Sequence, residues 1–243
     1  MQHRASFLMS TFALFISTFI EISGIWVLFD RFKMVQGWTL AEVAIIYGTI
    51  HIGFAIAECI ARGFDTFHRM VRAGTFDRIL LRPCSIILQV ASREIHLMRL
   101  GRLLQGLTVL CWGFITLELP WTAFFIILFA IFGTVIFFYA LFVIQAALSF
   151  WTIETLELMN VLTYGSVESG QYPMSLYKQG FQWFFTFLVP LACVGYYPIA
   201  TMLHKGTLPF WLGVSTPLAG VLFLFLSLQF WKMGVWHYKS TGN

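Results

Sequence analysis

The chain has 243 residues, of which 59% are hydrophobic and only 11% charged, with a mean hydropathy of +0.81. Soluble domains carry roughly a quarter charged residues, so this composition excludes an ordinary soluble domain and indicates a single polytopic transmembrane domain with room for about six spans of ~20 residues. The net charge of +4 comes mostly from one arginine-rich stretch, and reports membrane orientation rather than nucleic-acid binding.

The first apolar run, 7–29, follows His3 and Arg4. It is too long for a signal peptide and no small-x-small cleavage site follows it, so an uncleaved span is expected. A polar link, 30–39, leads to the second run, 40–61. There Ala44 with Gly48, and Gly53 with Ala57, supply the small residues that let helices approach closely. Between 62 and 102 lie eight of the fifteen basic residues: Arg62, Arg69, Arg72, Arg78, Arg82, Arg93, Arg99 and Arg102. This segment divides. Residues 64–72 form a short helix, Gly74 punctuates it, and a second piece, 75–81, ends before Pro83, whose ring disfavours helix at Arg82. From 86 to 102, Gln89, Ser92, Arg93, His96 and Arg99 recur at helical spacing, which predicts an amphipathic helix flat on the membrane surface. The charges of 67–78 are not confined to one face, which suits docking on a protein.

The third and fourth runs, 103–119 and 122–150, are joined by a tight turn at 118–120. A polar segment, 151–182, then carries Glu154, Glu157, Asn160, Glu168 and Pro173. The fifth run, 182–203, contains Pro190, which is expected to kink it. Pro198, Pro209 and Pro217 interrupt the approach to the sixth run, 210–231, where the chain is expected to dip back into the membrane. In lipid only a helix satisfies its own backbone groups, so the fold class is all-α with six transmembrane helices. Arg4, the arginine-rich loop, Lys178, Lys232 and Lys239 are expected on one side, against Arg31, Lys33 and Lys205 on the other. The positive-inside rule then places both termini, 62–102 and 151–182 in the cytoplasm.

No G-x-x-x-x-G-K-[ST] phosphate loop, H-E-x-x-H or G-x-S-x-G occurs, and no catalytic constellation is apparent, so the chain is not expected to be an enzyme on its own. The isolated cysteines Cys59, Cys84, Cys111 and Cys193 indicate neither a disulfide framework nor a metal site. Ionisable residues within spans are the usual functional candidates. Glu42 and Glu58 fall near the edges of the second span, within reach of headgroups or water. Glu21 and His51 sit deeper and are candidates for a translocation path, His51 also for a neutral packing role. A proton-coupled secondary transporter relaying through Glu21 and His51 is one alternative; a non-catalytic membrane scaffold is another.

The run Gly74-Thr-Phe-Asp-Arg-Ile-Leu-Leu-Arg-Pro83, followed by Leu88-Gln-Val90 and Arg99-Leu-Gly-Arg-Leu-Leu-Gln-Gly106, resembles the cytoplasmic loop of bacterial type-2 ABC exporter permeases. The likeness is to the six-span subfamily often encoded as permease pairs beside a separate ATPase. Glu157-Leu-Met-Asn160, Thr163-Tyr-Gly165, Tyr172-Pro173, Phe185 to Pro190 and Tyr196-Tyr-Pro198 follow in the same order. The resemblance implies an ATP-driven exporter subunit in the bacterial plasma (inner) membrane, working with a second permease, identical or related. ATP and Mg would be held on partner ATPase subunits, with no cofactor on this chain. The resemblance names no substrate; the aromatic-rich composition of the spans suits an amphipathic drug, lipid or peptide. The resemblance further implies a coupling helix at 67–78 that docks on the ATPase. Carried onto these positions, Phe67 opens the element, Phe76 is an apolar anchor, and Arg72 and Arg78 are charged contacts. Gly74 permits the turn, and Asp77 either caps or pairs with an arginine.

Overall fold

One helix, α2 (Leu40–Asp65), is enclosed on nearly all sides and organises the others. The computed structural model describes residues 2–94, 100–152, 156–206 and 208–238. Thr39 starts α2: its N–H and Oγ1 both donate to the Glu42 carboxylate, at 2.7 and 2.9 Å, a capping box that satisfies groups the helix leaves unpaired. Helices α6 (Leu100–Thr116) and α7 (Trp121–Leu148) pack along it. A Cβ on Gly48 would come within 2.5 Å of Leu110 Cβ on α6, and one on Gly53 within 2.5 Å of Thr134 Cβ on α7. The small residues of α2 therefore serve two different partners, giving the van der Waals contact that holds helices together where lipid removes the hydrophobic drive.

Helix α1 (Gln2–Phe32) lies mainly along α6. On the far side, α12 (Leu218–His237), preceded by the short α11 (Phe210–Ser215), runs along α7. At one end of the bundle Lys205 pairs with Glu42, donates to the Gly37 carbonyl and lies 4.9 Å from the Trp38 ring. At the opposite end the arginine-rich segment forms three short helices, α3 (Phe67–Arg72), α4 (Asp77–Leu80) and α5 (Ile86–Ala91).

Two expectations are corrected. The surface helix predicted over 86–102 is broken: α5 stops at Ala91 and α6 begins at Leu100, while 95–99, with His96 and Arg99, lie outside the described residues. Nor does α5 lie free, since Val90 is buried and its carbonyl occupies the space beside Gly63, where a Cβ would meet it at 1.8 Å. Likewise, the run 182–203 is not one straight helix, and the kink expected at Pro190 is a sharp break. The run forms two pieces, α9 (Gln179–Leu188) and α10 (Ala192–Met202), bent by 90° about Pro190. Proline removes a backbone donor, and π-helical turns on both sides (Phe184–Leu188 and Ala192–Tyr196) widen the break.

The preceding segment moves with this correction. Helix α8 (Leu156–Gly170) climbs along α2, bringing Tyr164 to Glu58 and Gln171 to His51; Ser175 then reaches Trp38. Of residues 151–182, expected at the arginine-rich end, the described stretch 156–182 thus runs from that end to the other, and Lys178 follows Ser175 to the Trp38 end. Pieces α9 and α10 form a hairpin that begins near Trp38 and closes beside it at Lys205.

Candidate functional site

The predicted coupling element is α3, the turn at Gly74 and α4. Gly74 has φ of 63°, the left-handed conformation that glycine adopts without steric strain, and reverses the chain between the two helices as expected. Phe67 and Phe76 do not face outward. Their rings meet edge-on at 5.1 Å, and both pack on Phe150 after α7, with Trp231 of α12 against Phe67 and Tyr238 against Phe76. Phe76 is 0% exposed. The ring expected to anchor a partner is instead an internal rivet, fixing the turn to the ends of α7 and α12. Arg69, Arg72 and Arg78 point outward. Asp77, half-buried at the first position of α4, is the acidic residue of that helix's first turn, and its carboxylate lies by Tyr238. Burial, and then this carboxylate, push the Tyr238 phenol up to about 12.

Below this element a polar track runs through the bundle. Asp65 pairs with Arg62 and accepts from Gln145 Nε2 at 2.8 Å. Glu58 is fully buried, not at a solvated edge: Arg102 lies 3.9 Å from its carboxylate, and the Tyr164 hydroxyl donates to it at 3.2 Å. The Arg102 guanidinium also covers the Phe54 ring at 5.0 Å. Arg102 therefore belongs to the interior and not to the loop. A buried carboxylate and guanidinium persist in an apolar setting only when paired and hydrogen-bonded.

His51 lies near the middle of α2, stacked on Tyr47 at 3.9 Å, with its Nε2 donating to Gln171 Oε1 at 3.4 Å. Gln171 in turn donates to the Glu168 carboxylate at 2.9 Å. His51 is thus a packed, hydrogen-bonded residue; the side chain of Glu21 lies outside the described residues. The structure brings in a residue that sequence reasoning left in a polar loop. Glu168 is exposed on α8 at the depth of His51, on the same outer face as Val161 and Gly165, where a Cβ would meet nothing within 4 Å. An exposed carboxylate at that depth is unfavourable against lipid by several kcal/mol, so this face meets water or protein. Its signal was helical spacing: Thr163, Ser166, Val167 and Gly170 are buried and Val161 and Glu168 lie outside.

No curated protein and no solved structure matches the chain. Residues 15–242 match the family model described as ABC-2 family transporter protein. A bundle that is helical through the described residues, with several helices long and apolar enough to cross a membrane, agrees with that match, and the chain belongs to the ABC-2 transporter family as a membrane transport component.

Proposed function

We propose that the chain is the permease subunit of an ATP-driven exporter whose ATPase subunits are separate chains holding ATP and Mg. The α3–Gly74–α4 turn is the coupling element, and Arg69, Arg72 and Arg78 meet acidic groups of the ATPase. One observation carries this reading: Phe67 and Phe76 lock the turn onto α7 and α12 while its arginines point away. Packed rings do not deform independently, so displacement of the turn moves the ends of both helices.

In this reading the arginine-rich end is cytoplasmic, since Lys232 accompanies the arginines there, and the membrane is the bacterial inner membrane. A second permease, identical or related, faces α8, and the path runs between the two past Glu168. The Trp38 end, with its α9–α10 hairpin, faces outward. Membership of the ABC-2 family favours this mechanism over a proton relay through Glu21 and His51, and the close packing of His51 between Tyr47 and Gln171 supports the same preference.

The test is co-purification with a separately encoded ATPase and measurement of coupled hydrolysis. Reversing charge in Arg72→Glu with Arg78→Glu should weaken the association at least about tenfold, because like charges facing each other across an interface cost several kcal/mol. Normal coupling in that double variant would remove the assigned docking site.

A further inference from the structure

We propose that the cleft between α4 and α5 binds the phosphate of an anionic phospholipid headgroup. The cleft encloses about 430 Å3 and is lined by Thr75, Arg78, Arg82, Gln89, Ser92 and Arg93. The three arginines are exposed, and no carboxylate among the described residues forms a salt bridge with them. The nearest acidic groups in the sequence are engaged elsewhere or flank the cleft: Asp77 lies by Tyr238, and Glu94 follows Arg93 with an interaction of its own. Guanidinium groups offer paired N–H donors matched to phosphate oxygens, so the cleft has the donor set for a phosphodiester.

Depth separates a lipid from a soluble anion. Helix α5 crosses the last turns of α2 at Gly63, and its start shares a groove with Trp231, Lys232 and Trp236 near the end of α12. Trp236 is 90% exposed. A tryptophan and a lysine one turn apart at the end of an apolar helix mark the headgroup layer, the tryptophan by its amphipathic ring and the lysine by extending its ammonium to water. The cleft opens beside that level. On the same loop Leu81 is 86% exposed and Leu88 67% exposed. Protruding leucines beside arginines suit the boundary between headgroups and acyl chains, and a free phosphate ion would leave them unexplained. An acidic protein surface would also satisfy the arginines, but the depth of the cleft favours lipid. The inference needs only that the chain is a membrane protein; it shares Arg78 with the proposed coupling element, and its test therefore rests on Arg82 and Arg93, which that element does not use.

The test uses the full-length chain in nanodiscs of phosphatidylcholine with a minority of phosphatidylglycerol, reading retained lipid by native mass spectrometry after detergent extraction. Phosphatidylglycerol should be retained in preference to phosphatidylcholine, and inorganic phosphate should not displace it. Each basic residue near an anionic surface contributes about a fivefold effect, so Arg82→Gln with Arg93→Gln should lower retention at least tenfold. Arg82→Lys with Arg93→Lys keeps the charge and should retain most of it, and Lys33→Gln, exposed near the opposite Trp38 end, should leave it unchanged. Undiminished retention in the glutamine double variant overturns the proposal. So does displacement by inorganic phosphate, or loss of ATPase association with lipid retention intact, which would make the cleft a dock for an acidic protein.

Discussion

Helices α2 and α12 belong to stretches of equal mean hydropathy and have opposite surroundings. In the most apolar stretch of α2, 83% of residues are buried; in that of α12, only 22% are. The difference lies in the kind of residue. Along α2, Ala41, Ala44, Gly48, Gly53, Ala57, Ala61 and Gly63 let neighbouring backbones approach, and the polar His51 and Glu58 find partners in Gln171, just past α8, and in Arg102 on α6. Along α12, large side chains such as Leu222, Phe225, Leu226 and Met233 face outward, and the buried positions are few: Gly220, Ser227, Trp231 and Gly234. Hydropathy tells that a segment can enter lipid. Small and paired polar residues tell which segment the others surround.

The strongest way to break this contrast is to unpair the interior of α2. Glu58→Ala leaves the Arg102 guanidinium without its carboxylate between Phe54 and Tyr164, and should destabilise the protein by about 3–5 kcal/mol. Glu58→Gln with Arg102→Gln removes both charges and should be clearly milder than the single change. Thermal unfolding in detergent measures both. A double variant no better than Glu58→Ala would show that the charge pair is not what the interior depends on.

A second substitution tests the close approach itself. In Gly53→Val the new side chain meets Thr134 on α7, and overpacking of this kind costs about 1–3 kcal/mol. The same change at Gly165 on α8 meets open space, so the isolated chain should tolerate it. If a second permease packs on α8, Gly165→Val should instead weaken association of the two permeases, measurable by cross-linking in membranes. Equal destabilisation by both changes would contradict the distinction between an enclosed and an open helix face.

Much of the arrangement was legible in the sequence. The apolar runs fell on helices because hydropathy and backbone satisfaction in lipid leave few choices, and Gly74 was readable as a turn because positive φ favours glycine. What was hidden depended on partners distant in the chain. Glu58 looked like an edge residue because its counter-ion, Arg102, stands 44 positions away in what read as a loop. Helix α8 looked like a polar loop because Ser166 and Gln171 are satisfied within its own segment and by α2, which composition does not display. The hairpin α9–α10 read as one span because two short apolar pieces joined at Pro190 have the summed length of a crossing. Phe76 was expected to anchor a partner because the family resemblance assigns a role and shows no packing, whereas Phe67, Phe150 and Tyr238 close around it.

The smallest expected effect sharpens the comparison most. Leu226 on α12 is more than half exposed, so truncation in Leu226→Ala removes contacts with the surroundings and few with the protein. It should change stability by no more than about 0.5 kcal/mol, the range of substitutions away from packed features. Ala57 on α2 is fully buried, and Ala57→Leu adds the same atoms where there is no room, for about 1–3 kcal/mol of destabilisation. The two changes are mirror images in composition and leave the overall hydropathy of the chain nearly as it was. If their measured unfolding midpoints differ in this sense, packing and not apolar content distinguishes the helices. A Leu226→Ala variant as damaging as Ala57→Leu would mean that α12 is covered by another chain along its outer face, and the enclosed helix would no longer be α2 alone.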